Sequence, residues 1–297
     1  MSSPTHDSAP PAALPALVTP FDSAGKLDAA AHDHNLSVLT ERGVTGFLIA
    51  GSTGEGPYLL DGERADLLEI ARQRAPHAFL LCGIAAQSVA QATHQLGELQ
   101  EADAALVVTP NMLAPTVDHQ IRYYRAVADA ATLPVWLYTV PAVTGYNLPV
   151  EAVIALSVHP NIVGIKDSSG MPERIAEFRQ NCPENFRIYA GASRALAASR
   201  RGGADGAITA SSNYAFSLVD RLVGRSPEDD AVDALQAELT SLAALVEAHG
   251  IPGTKLAATR TGLIAGAPRA PLLALDAATA AEVSEAVGLF FDQPAGA

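Results

Sequence analysis

Eight short apolar runs, bounded by glycine or proline and separated by longer helical patterns, constrain this chain more than any other feature. They lie at 13–20, 44–51, 78–85, 104–110, 133–141, 161–166, 187–192 and 204–210. Each is apolar throughout and does not alternate with polar residues, which is how strands covered on both faces of a parallel sheet read. The stretches between them, among them 27–43, 61–75 and 116–130, carry helical periodicity and start near Asp or Thr caps; the first ends at Gly43 after Arg42. Eight strand–helix units in one chain predict an α/β fold, a (β/α)8 TIM barrel over residues 13–212. A doubly wound open sheet is the competitor, but its first strand leads into a glycine fingerprint. Here the first run ends V-T-P-F-D. Residues 213–297 are Ala/Leu-rich and read as a C-terminal helical extension, broken at Gly250–Gly253 and Pro268. Residues 1–12 read as a flexible N-terminal tail.

Composition removes several classes of function. Of 297 residues, 48% are hydrophobic and 17% charged, which supports a large core and opposes bulk disorder. A net charge of −13 argues against a nucleic-acid or anionic-membrane surface, since both need a basic patch. Two cysteines, Cys82 in an apolar run and Cys182, make neither a disulfide framework nor a metal-binding spacing. The N-terminus lacks the basic and apolar regions of a signal peptide, and no apolar run is long enough to span a bilayer. A cytoplasmic location is the expectation.

Lysine is scarce. The chain has sixteen arginines and three lysines, Lys26, Lys166 and Lys255. Arginine stays protonated, whereas a desolvated lysine can lose its proton and act as a nucleophile. Lys166 ends the sixth apolar run, where a barrel places its active site. Lys26 sits in a turn sequence, and Lys255 lies in the C-terminal segment, read as remote from the strands. His32 and His34, two apart on a helical pattern, do not share a face and read as surface residues.

Other run ends supply matching chemistry. The second leads into Gly51-Ser52-Thr53-Gly54-Glu55-Gly56, the fifth into Tyr138-Thr139-Val140-Pro141, the sixth into Lys166-Asp167-Ser168-Ser169, the seventh into Gly191-Ala192 and the eighth into Thr209-Ala210-Ser211. An amine in an apolar mouth can attack a ketone to form a Schiff base, and a phenol can shuttle the proton. The hydroxyls and backbone N–H groups of the Gly-Ser-Thr-Gly turn suit a carboxylate. An α-keto acid such as pyruvate offers both a ketone and a carboxylate.

These three motifs together, Gly51–Glu55, Tyr138–Gly145 and Gly164–Ser168, resemble the N-acetylneuraminate lyase / dihydrodipicolinate synthase superfamily from Leu17-Val18-Thr19-Pro20-Phe21 to Pro268-Arg269-Ala270-Pro271-Leu272. The resemblance implies a barrel with C-terminal helices, assembled as a homotetramer of two dimers. It implies Lys166 as the Schiff-base lysine, Tyr138 as the proton-transferring phenol, and Ser52 and Thr53 on the keto-acid carboxylate. Gly191 and Ile208 match positions lining the pyruvate pocket. No metal and no organic cofactor is implied.

The chain departs from the synthases at two places. Their Tyr-Asn-Val-Pro motif continues to an arginine that binds the second substrate's carboxylate; Val143 stands there, and no replacing cation is evident. Their tyrosine pair is replaced by Asn111-Met112. Gly51–Pro57, Tyr138–Ala142, His159–Gly164 and Gly250–Gly253 look closer to 4-hydroxy-2-oxoglutarate aldolases, in which the position of Ser168 contacts substrate. The expected activity is therefore a class I pyruvate-dependent lyase acting on a 4-hydroxy-2-oxo acid or a 2-keto-3-deoxy sugar acid, with an aldehyde as the other partner. The alternatives are dihydrodipicolinate synthase, condensing pyruvate with aspartate semialdehyde, and a non-catalytic keto-acid-binding barrel.

Overall fold

Each of the eight apolar runs carries a strand in the computed structural model, which describes residues 10–111 and 116–291. The strands are β1 (Ala13–Pro15), β2 (Gly46–Ile49), β3 (Phe79–Ile84), β4 (Ala104–Val108), β5 (Val135–Thr139), β6 (Ile162–Asp167), β7 (Arg187–Ala190) and β8 (Gly206–Thr209). They pair in parallel in the order β1-β8-β7-β6-β5-β4-β3-β2. Ala16 then bridges Leu48 in parallel, and the Leu17 N–H donates to the Leu48 carbonyl at 2.9 Å. The sheet is thereby closed, and the fold is a (β/α)8 barrel.

The helices are α1 (Ala29–Glu41), α2 (Glu63–Arg74), α3 (Val89–Leu96), α4 (Val117–Ala130), a single turn α5 (Pro141–Thr144), α6 (Val150–Leu156), α7 (Pro172–Asn181), α8 (Leu196–Arg201), α9 (Phe216–Gly224), α10 (Ala231–Glu247), α11 (Gly250–Arg260) and α12 (Ala277–Phe291). None of the described helices is long and apolar enough to cross a membrane. Side-chain oxygens cap several starts: Asp28 accepts from the Ala31 N–H, Ser88 from Gln91 and Thr116 from His119. Helix α9 packs on β1 and β8, and α10, α11 and α12 pack on one another beyond it.

Strand alternation divides the core in two. Val135 and Leu137 of β5 face the helices, whereas Trp136 and Tyr138 face the barrel interior with Leu14, Leu48, Leu81, Leu106, Tyr189 and Ile208. Trp136 meets Tyr189 edge to face at 5.1 Å between ring centres. The Tyr189 hydroxyl donates toward the Pro10 and Pro11 carbonyls, each at 3.0 Å, so the segment before β1 covers the lower end of the barrel. The rest of the expected tail, residues 1–9, lies outside the described residues.

Two local expectations are corrected. His32 is buried, with Nε2 3.2 Å from the Leu67 carbonyl, and desolvation lowers its pKa to about 4. The two-residue spacing that separates it from exposed His34 is what turns it inward. The expected break at Gly250–Gly253 is present: α10 ends at Glu247, and Gly250, at φ 61°, opens α11. Pro252 is tolerated there, and a Cβ on Gly253 would lie 2.3 Å from the Val246 carbonyl oxygen. Lys255 is not remote from the barrel: its Nζ lies 2.5 Å from Oε1 of Glu55, just past β2.

That ion pair is buried on both sides, at 2% and 0% side-chain exposure. Lys255 also donates to the Ala267 carbonyl at 2.9 Å, and the Arg269 N–H donates to Glu55 Oε2 at 2.7 Å. Phe21 receives both cations, with Lys255 Nζ 4.7 Å and the Arg269 guanidinium 4.0 Å from its ring centre. Removing one partner strands the other charge in a dry site. Lys255→Met is therefore expected to cost about 3–5 kcal/mol of stability in urea denaturation, with part restored when Glu55→Gln is added.

Candidate active site

The parallel register of β5 and β6 sets Tyr138 directly beside Lys166. Both are buried, and Lys166 Nζ lies 4.5 Å from the Tyr138 ring centre. On the phenol's other side stands Ser52, from the turn after β2, with its hydroxyl oxygen 3.4 Å from that of Tyr138. Amine, phenol and hydroxyl thus meet at the C-terminal ends of three strands. Among the described residues no carboxylate pairs with the Lys166 amine.

The turn that carries Ser52 is held in an unusual backbone path. Ala50 (φ 54°) and Glu55 (φ 56°) both occupy the left-handed region, which costs a non-glycine residue energy. Glu55 is kept there by its pair with Lys255. Gly56 follows because a Cβ would lie 2.0 Å from the Ala50 carbonyl oxygen. Thr19 adds a hydroxyl donation to the Gly54 carbonyl at 2.6 Å.

Asp167, next to the lysine, points away from it. Its carboxylate accepts from Arg174 Nε at 3.0 Å and from the Ser169 N–H at 2.8 Å, fixing the turn after β6. Ser168 is half-buried in that turn, its N–H donating to the Thr139 carbonyl at 2.9 Å. A Cβ on Gly191 would lie 1.9 Å from Ser168 Oγ and 3.0 Å from Lys166 Cε. Only glycine leaves room for both side chains.

Ser52, Thr53, Tyr138, Lys166, Ser168 and Gly191 all line one cavity of about 750 Å³. Ile208 does not: it is packed in the barrel-interior cluster with Tyr138. A smaller cavity of about 280 Å³ shares Ser52, Tyr138 and Val143 and reaches Asn111. Val143, on α5, is 64% exposed. Asn111 donates its side-chain amide to the Thr144 carbonyl, and Met112 lies outside the described residues.

Two charged lining residues carried no motif in the sequence. Glu247, at the end of α10, and Arg194, in the 3₁₀ turn Ser193–Ala195 after β7, both face the larger cavity. The Ser193 hydroxyl is 2.6 Å from Glu247 Oε1 and 2.9 Å from the Ser211 hydroxyl. Burial raises the Glu247 pKa above the usual carboxylate value. Away from this cavity, Asp61, His94 and Glu98 bring ligand-type atoms within 4.8 Å of one another, but Glu98 is already paired with Arg64 at 3.2 Å.

A closed (β/α)8 barrel with a buried lysine and a tyrosine side by side at its mouth is equipped as an aldolase-type lyase. The comparisons agree. Residues 10–288 match the dihydrodipicolinate synthetase family. A 4-hydroxy-tetrahydrodipicolinate synthase of Xanthomonas campestris pv. campestris is 37% identical over 272 residues, covering 89% of each chain. One from Mesorhizobium japonicum is 32% identical, covering 92% of this chain and 96% of its own. The crystal structure of a dihydrodipicolinate synthase from Acinetobacter baumannii complexed with pyruvate superimposes with a TM-score of 0.90 at 26% identity, over 95% of this chain and 99% of that one. The chain belongs to the dihydrodipicolinate synthetase family, and with it to the carbon–carbon lyases of the aldolase type.

Crowding around Gly191 gives a sharp expectation. Gly191→Ala should stay folded by thermal unfolding but displace Ser168 and the Lys166 stem. Misplacement on this scale is expected to slow ketone capture by the amine about 100-fold, read by borohydride trapping.

Proposed function

We propose that this protein joins pyruvate to an aldehyde, or reverses that reaction, through an imine on Lys166. The observation that carries the reading is the Lys166–Tyr138–Ser52 alignment, 4.5 Å from amine to ring centre and 3.4 Å from hydroxyl to hydroxyl. The neutral amine adds to the keto carbon of pyruvate. Tyr138 delivers a proton to the carbinolamine oxygen, which leaves as water. The iminium draws electrons from the neighbouring carbon, which loses a proton to the Tyr138 phenolate to give an enamine. The enamine carbon attacks the aldehyde, the new alkoxide takes a proton from Tyr138, and water hydrolyses the iminium to return Lys166, its released proton restoring the phenol. Ser52 relays protons with Tyr138 and, with Thr53, holds the pyruvate carboxylate. Ser168 and Gly191 bound the space around the imine, and Ile208 supports it from the barrel interior.

The names of the curated relatives favour condensation, with aspartate semialdehyde as the aldehyde, over the 4-hydroxy-2-oxo acid cleavage placed first on sequence grounds. A pyruvate complex in the Acinetobacter structure supports the keto acid. One observation still favours the cleavage reading: Val143 puts no charge where the synthases' arginine stands.

Borohydride reduction in the presence of pyruvate, followed by peptide mapping, is expected to mark Lys166 and neither Lys26 nor Lys255. Lys166→Arg should abolish the adduct; a wild-type protein without one would sink the reading. Tyr138→Phe is expected to lower kcat about 10²–10⁴-fold while the protein still binds pyruvate. Turnover of aspartate semialdehyde against cleavage of 4-hydroxy-2-oxoglutarate separates the two readings, and binding without either leaves a non-catalytic barrel.

A further inference from the structure

A cation does face the cavity, from a part of the chain that the family's motif does not point to. Arg194 lies on its wall with Lys166, Ser168 and Val143. Its guanidinium rests against the loop that follows the lysine: a Cβ on Gly170 would sit 3.1 Å from Nη2 and 3.5 Å from Nε. Gly170, at φ 72°, therefore gives the guanidinium its place as well as turning the chain.

Other arginines near the mouth are committed. Arg174 holds Asp167 and the Leu148 carbonyl, Arg269 holds Glu63, and Arg64 holds Glu98 with the Gly56 and Gly83 carbonyls. Among the described residues Arg194 makes no hydrogen bond and no ion pair, and it is exposed to the cavity and solvent. Glu247 is a carboxyl in the same wall, and the Arg194 charge acts on it without an ion pair forming. It is engaged by the Ser193 hydroxyl at 2.6 Å, and burial, which outweighs the Arg194 charge, disfavours its charged form, so the guanidinium keeps its donors for a ligand. The cavity, at about 750 Å³, also holds far more than a three-carbon keto acid on Lys166.

We infer that Arg194 binds a carboxylate on the aldehyde partner and so restricts the second substrate to aldehydes that carry an acid group. The inference rests on the imine reading above and names the partner's class within it. A planar guanidinium presents two parallel N–H donors to a carboxylate, geometry that an ammonium does not match. The same contact serves a product whose distal carboxylate is released with the aldehyde on cleavage. Glyoxylate and aspartate semialdehyde both have the required group; acetaldehyde does not.

The test compares wild type, Arg194→Ala and Arg194→Lys with pyruvate and each of these three aldehydes. The alanine variant should raise KM for the acidic aldehyde about 10- to 100-fold, the loss expected for one charge-assisted contact. Its kcat should change far less, and lysine should restore part of the affinity. Borohydride trapping of pyruvate on Lys166, and any slow reaction with acetaldehyde, should match wild type. An unchanged KM for the acidic aldehyde with trapping intact overturns the role of Arg194 alone. So does a wild type that accepts acetaldehyde as readily as the acidic aldehydes. Failure of trapping in the wild type overturns the imine reading, and this inference with it.

Discussion

Closure of the parallel ladder is the constraint on which everything else in this molecule depends. Once Ala16 meets Leu48, every strand has two neighbours, and each residue must face either the helices or a shared interior. A large inward side chain on one strand then dictates what its neighbours can be. Trp136 on β5 and Tyr189 on β7 meet in the interior across β6, and the next inward position on β5 is Tyr138. Lys166 stands beside it because the register of two parallel strands leaves it nowhere else to go. The Tyr138–Lys166 pair is thus a property of the ladder, held by backbone hydrogen bonds and not by a flexible loop.

The mouth needs a second constraint, since turns after strands are not held by the ladder. Here it is the buried Glu55–Lys255 pair, with Arg269 and Phe21 around it. Two residues 200 positions apart fix the left-handed turn that presents Ser52 to Tyr138. The helices past the barrel therefore do more than cover it. Helix α11 supplies the lysine of the clamp, and α10 supplies a wall of the cavity. A buried ion pair is an expensive way to gain stability, but its directionality suits a turn that must adopt one conformation.

What could be read from the chain alone follows from which forces are local. The strands were legible because burial on both faces leaves an uninterrupted apolar run, as in 104–110, whose strand occupies Ala104–Val108. That Lys166, Tyr138 and Ser52 meet at one mouth was legible because each sits at the end of such a run, and the scarcity of lysine drew attention to one. Lys255 was misplaced because its partner is far away in sequence and nothing near it signals burial. His32 was misplaced for a related reason: one helical residue's facing depends on where the whole helix docks. Arg194 and Glu247 belong to no motif, and only the folding of α10 over the mouth brings them to one wall. Gly250–Gly253 reads as a break by composition, and glycine is what the tight α10–α11 corner requires.

The Tyr189 hydroxyl, bound to Pro10 and Pro11 beneath the barrel, gives the interior a floor. With that floor and a packed lumen, the molecule is a cup and not a tube. Everything that reaches Lys166 enters by one rim and leaves over the same rim.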